Sequence, residues 1–148
     1  MAKTIFDSTA RSALLARLDH LQATAPARWG KFTAPKMVSH LVQAALMALG
    51  DVPVKPRRGP LRYRPVRWLV IYVLPWPKGT PTAPEMLSRA PQSWPADIAA
   101  LKALIERASA NGAAGRWASH PAFGDLSGAD WGALIHRHVS HHLTQFGV

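Results

Sequence analysis

The stretch Trp131-Gly-Ala-Leu-Ile-His-Arg-His-Val-Ser-His-His-Leu-Thr-Gln145 decides how this chain is read. Each residue of an α-helix advances about 100° around the axis, so His138 and His142 share one face while His136 and His141 point elsewhere. The 138/142 stripe continues backwards through Ile135, Leu134 and Trp131 and forwards to Gln145 and Phe146, which makes it the apolar, inward face of an amphipathic helix. Each neutral imidazole carries a donor and an acceptor, and burying such a group unpaired costs roughly 1–3 kcal/mol. From the pair alone three readings stay open: one divalent metal gripped by both rings, a structural pair satisfied by protein groups, or a solvated histidine-rich chain end.

A third histidine narrows the choice. In Thr33-Ala-Pro-Lys-Met-Val-Ser-His-Leu-Val-Gln-Ala-Ala-Leu-Met-Ala-Leu49, Thr33 reads as an N-cap and Pro35 falls in the first turn, where its missing N–H does no harm. The apolar stripe then runs Met37, His40/Leu41, Ala44, Met47/Ala48, with Gly50 in the place of a left-handed C-cap. His40 is thus core-facing among small neighbours. Two inward histidine sites on separate helices suggest one shared centre.

The rest of the chain supplies the remaining helices. Ala10, Ala13/Leu14, Arg17/Leu18 and Leu21 set a helical period from about Asp7 or Ser8 to Gln22. A third long helix starts at the N-cap Ser93 and carries Ile98, Leu101, Leu104/Ile105 and Ala108 before Asn111-Gly112 stops it. The last helix opens on Ser127-Gly-Ala-Asp130, a capping-box variant. Ten of the thirteen prolines lie between Pro53 and Pro95. They deny that region a long helix and leave only residues 66–74 for a short buried one. Trp68 and Trp76 are expected to hold the surrounding loop down, most of the six tryptophans are expected in the core with one or two of those in the loop lining a pocket over the histidines, and His120 reads as an exposed loop histidine. The fold expected is all-α: a single domain over 1–148, a four-helix bundle with a long Pro-rich insertion between the second and third long helices.

Composition removes several classes of function. A chain of 148 residues without cysteine has no disulfide, zinc ribbon, iron–sulfur site or thiol nucleophile, and its length suffices for a core without staples. No signal-type apolar run opens it, which gives the expectation of a cytoplasmic protein, and no stretch approaches the ~20 apolar residues of a membrane span. Neither a glycine-rich nucleotide loop nor a serine-hydrolase elbow is present. The formal charge of +10 is concentrated in Lys55, Arg57, Arg58, Arg62, Arg64 and Arg67. Such a run could contact phosphates or an anionic membrane surface, but because proline breaks any regular element there it reads first as a solvated basic loop, and not as a specific nucleic-acid reader.

The motif Thr33-x-Pro35-x-Met37 leading to His40, joined to His138-x-x-x-His142-x-x-Gln145, resembles the DinB/YfiT-like superfamily of metal-dependent helical bundles. The last helix there characteristically reads H-x-x-x-H-R-G-Q. The segments Arg28 to Met37, Trp68 to Glu85 and His120-Pro-Ala-Phe-Gly124 are similar to an uncharacterised branch of it, so the likeness spans essentially the whole chain. It implies a DinB-like four-helix bundle, often a homodimer, with His40, His138 and His142 as metal ligands. Leu143-Thr144 stands where the superfamily has Arg-Gly. Because its members include thiol-dependent transferases and isomerases, the resemblance also implies a small-molecule substrate or thiol as partner.

Three neutral imidazoles would leave a divalent ion its full charge and an open position. Zinc, nickel or iron all suit such a donor set. Gln145 is the candidate to support the site from behind, by orienting water or an oxyanion or merely by bonding the last carbonyls of the helix. Metal affinity is expected to fall as pH drops through roughly 6, where imidazole protonates. The functional expectation is a metal-dependent hydrolase or thiol-dependent transferase with no catalytic side chain identifiable from sequence. The alternative is a non-catalytic binding or stress-associated module.

Overall fold

The computed structural model describes residues 1–148. Four long helices, α1 (Ser8–His20), α2 (Ala34–Ala48), α4 (Trp94–Asn111) and α5 (Gly128–Gln145), build the fold, and the short α3 (Arg64–Trp68) lies between α2 and α4. Each long helix begins on a side chain that accepts one of its otherwise orphaned amides. Asp7 takes Ala10 N–H, Thr33 takes Lys36 N–H and Ser93 takes Ala96 N–H, while Ser127 and Asp130 form a reciprocal capping box. Helix α1 stops two residues before the sequence suggested, because Leu21 turns extended to drive its side chain into the core.

Helix α2 is buried around most of its circumference, including the polar Ser39, His40 and Gln43. It packs against α4 and α5, and α1 lies along α5. A single apolar cluster runs from Ile5 to Phe146 through all four long helices. The chain ahead of α1 crosses α5 at Gly132: Ile5 N–H donates to Gly132 O at 3.2 Å. A Cβ at Gly132 would meet Phe6 Cε2 at 2.3 Å and Thr4 Oγ1 at 2.5 Å. Gly132→Ala is therefore expected to destabilise by about 1–3 kcal/mol through overpacking, read as a lower urea midpoint. An unchanged midpoint would mean the N-terminal segment yields freely.

The Pro-rich insertion is helical where expected but is not a buried helix. Helix α3 runs into one π-helical turn, Leu69–Val73, in which only Ile71 is buried, while Trp68, Leu69, Val73 and Leu74 remain exposed. Between Pro65 and Pro75 the segment has too few turns to present an apolar stripe, so one residue anchors it. Polar bonds from α5 do the remaining work: Arg137 donates to Ile71 O at 2.8 Å and also to Leu74 O, and Tyr72 O–H donates to Asp130 at 2.7 Å. Trp68 is 55% exposed and does not hold the loop down; among the tryptophans only Trp131 is fully buried.

The basic stretch is more structural than a solvated loop. Arg57 pairs with Glu85 at 3.1 Å, Arg62 donates to Arg57 O at 3.1 Å, and Arg67 donates to the carbonyls of Phe123 and Asp125 at 3.3 and 3.0 Å. Three of its cations are thereby committed to partners in the protein. No helix is long and apolar enough to cross a membrane.

Candidate metal centre

His40 from the middle of α2 meets His138 and His142 from the last turns of α5. One nitrogen of each ring lies within 4.8 Å of the other two. The ring centroids form a nearly equilateral triangle, with sides of 5.0, 5.2 and 5.0 Å. His136 and His141 stand outside this cluster, and no carboxylate enters it. Four residues is slightly more than one turn, which keeps the α5 pair on one face.

The protein fixes which nitrogen of each ring faces the centre. His40 Nδ1 lies 3.1 Å from Met86 O. A carbonyl only accepts, so Nδ1 carries the proton and donates it, and the Nε2 lone pair is left pointing inward. His142 Nδ1 lies 2.7 Å from Gln145 Oε1, and the other end of that amide donates to Trp29 O at 2.8 Å. The amide orientation is therefore set from outside, and His142 too donates through Nδ1. His138 Nε2 comes within 3.0 Å of His40 Nε2. Two such nitrogens stay that close only with a proton or a cation between them. Histidines that ligate metals are oriented in this way, through a donated N–H from the non-ligating nitrogen. The donor set therefore fits a divalent transition metal.

Burial keeps the rings neutral. Desolvation pushes His142 down to about 3 and His138 well below the ordinary imidazole value, with the neighbouring histidines adding to the effect on each. His40 is lowered by the same desolvation, partly offset by its bond to Met86. Phe32 covers the cluster, stacking on His40 at 5.3 Å and meeting His142 edge-on at 5.7 Å.

Gln145 stands behind a ligand, as its sequence position suggested, but by another contact than expected: it neither reaches into the centre nor bonds the end of its own helix, and instead ties His142 to Trp29. Gly30 makes room for this contact, since its φ of +79° suits glycine and a Cβ there would sit 2.8 Å from Gln145 Nε2. Gln145→Leu is expected to weaken metal binding 10- to 100-fold, the usual cost of losing a partner behind a ligand. A competition titration against a chelator measures it, and an unaltered affinity would make the contact merely structural.

His120 corrects the sequence reading most. It is not an exposed loop residue: its ring packs against Phe123 at 4.7 Å and Trp131 at 5.4 Å, and desolvation pushes it down to about 4. Its Nδ1 accepts the backbone N–H groups of Ala122 and Phe123 at 3.0 and 3.1 Å. A cavity of about 180 Å³ with almost wholly apolar walls opens between His120 and His138. Trp76 borders this cavity and also the larger surface groove of about 460 Å³ that runs past Lys3, Lys78, Arg137 and His141. Trp76 is thus a loop tryptophan lining a pocket beside the histidines, as expected, whereas loops have no periodicity and spacing did not point to His120. The only signal for His120 was the tight His120-Pro-Ala-Phe-Gly124 turn, whose amides need an acceptor.

No curated protein and no solved structure matches the chain significantly. A family model described as a protein of unknown function (DUF1569) matches residues 2–147, end to end over the bundle and its three histidines, and the chain belongs to that family.

Proposed function

We propose that the protein is a metal-dependent enzyme acting on a small molecule, with His40, His138 and His142 holding one zinc, nickel or iron ion. The observation that carries this reading is the tautomer arrangement. His40 and His142 each give their outward N–H to a carbonyl group and keep an acceptor nitrogen facing the other rings. When bound, such an ion supplies Lewis-acid chemistry, polarising an oxygen or sulfur of the substrate.

The residues around it supply position and exclusion of water. Three neutral ligands and no carboxylate leave the charge of the centre unbalanced, which favours a substrate that brings an anion or a strong dipole. Phe32 closes one side of the cluster, and the half-buried His138 borders the inner cavity. The reaction class favoured is hydrolysis or thiol transfer, as the resemblance to DinB/YfiT-like proteins suggests. Without a cysteine in the chain, any thiol arrives as a co-substrate.

The test is a panel of small esters, amides and thiol–electrophile pairs, assayed with chelator-treated and metal-reloaded protein. Turnover that disappears with the metal and returns with it supports the proposal. Tight metal binding with no turnover on any member of the panel favours a non-catalytic binding module.

A further inference from the structure

The inner cavity has a chemistry of its own. Thirteen of its fifteen lining residues are hydrophobic, and the other two are His120 and His138. No lysine, arginine, aspartate or glutamate borders it. Its tautomer makes His120 the unusual element. Two backbone N–H groups converge on Nδ1, so that nitrogen is an acceptor and the proton of the neutral ring resides on Nε2. Nδ1 is turned back to its own turn, Nε2–H has no hydrogen-bond partner in the protein, and the ring lines the cavity. Ring packing on Phe123 and Trp131 holds it there.

We propose that this cavity is a binding site for a small, mainly apolar, uncharged molecule bearing one hydrogen-bond acceptor, with His120 Nε2–H as the donor that orients it. In the metal-free cavity charge is excluded because a buried ion without a counter-charge costs several kcal/mol, and these walls offer none. Size follows from the volume, since a dry cavity of about 150 Å³ suffices for benzene. About 180 Å³ therefore holds a six-membered ring or a short branched chain with a carbonyl or ether attached. An occupant would lie against His138, but the proposal needs no metal, because donor and walls are complete without one.

Acetophenone and isopropylbenzene, alike in shape but differing in the acceptor, are suitable probes. Both would be titrated by NMR into chelator-treated full-length protein and then into metal-loaded protein. Acetophenone is expected to bind the metal-free protein about five- to tenfold more tightly, the worth of one hydrogen bond. His120→Asn retains an acceptor for the amides of Ala122 and Phe123 but is too short to reach the cavity, and it should reduce acetophenone to the level of isopropylbenzene. Ala45→Leu, which fills the cavity from α2, should abolish binding of both. Equal affinities of the two probes for wild type, a preference that survives in His120→Asn, or binding undiminished by Ala45→Leu would overturn the proposal. Absence of binding to wild type would also overturn it. Should His120→Asn fail to fold by circular dichroism, the wild-type preference and Ala45→Leu decide. Probe binding in a protein that takes up no metal would leave this site intact while the metal reading fails.

Discussion

Replacing His138 with alanine is expected to lower metal affinity by more than a hundredfold while leaving the far-ultraviolet circular dichroism of the bundle unchanged. The magnitude has a floor, because loss of a group that merely supports a ligand already costs 10- to 100-fold. Removal of a ligand itself costs more, and with only three histidines and no carboxylate in the cluster no protein group stands ready to replace it. The helices survive because the apolar core, from Leu14 on α1 to Leu143 on α5, contains none of the three rings. Any turnover should vanish in the same variant. An affinity within tenfold of wild type would remove His138 from the ligand set.

The second large effect is on stability in acid. Imidazole in an unfolded chain titrates near 6.5, whereas burial holds His120 at about 4 and His142 at about 3 in the fold. Below about pH 6.5 the unfolded state binds more protons than the native state, so stability falls as pH falls. The contribution is fully present above that value and is lost progressively towards the folded pKa values. For these two groups the loss between pH 7 and 5 is on the order of 2–4 kcal/mol, with His40 and His138 shifted in the same direction. Urea unfolding of metal-free protein at pH 7, 6 and 5 measures it, and His120→Asn should flatten part of the slope. A midpoint independent of pH would show that these rings are not buried and neutral. The same shifts move the expected pH window of metal binding: ligands that stay neutral in the fold keep their affinity below pH 6, until unfolding overtakes them.

Much of the architecture was legible because it follows from periodicity and caps. Thr33, Ser93 and the Ser127–Asp130 box begin helices where side-chain acceptors must begin them, and the 138/142 spacing with the His40 stripe brings three rings to one place. What sequence left hidden lies in segments without a period. Met86 O, Trp29 O and the amides of Ala122 and Phe123 are backbone groups, and their role depends on where a loop passes and not on which side chain it carries. The exposure of α3 was hidden for a related reason: Val70, Ile71, Tyr72 and Val73 look alike by hydropathy, and only the packing of a short segment decides that Ile71 alone turns inward. Gln145 was legible as a neighbour of His142, while its bond to Trp29 depended on the turn at Gly30.

Trp76 forms a wall common to the surface groove and the inner cavity. Its Nε1–H donates to Val70 O at 2.9 Å, Arg137 lies over its ring at 5.5 Å, and its face rests against His138 and His141. The hydrogen bond and the cation–π contact add about 1–3 kcal/mol to the packing of the indole against the core. Because this one side chain lines both spaces, Trp76→Ala is expected to join groove and cavity into one, so that the inner cavity stays separate from the surface only through the Pro75-Trp76-Pro77 corner.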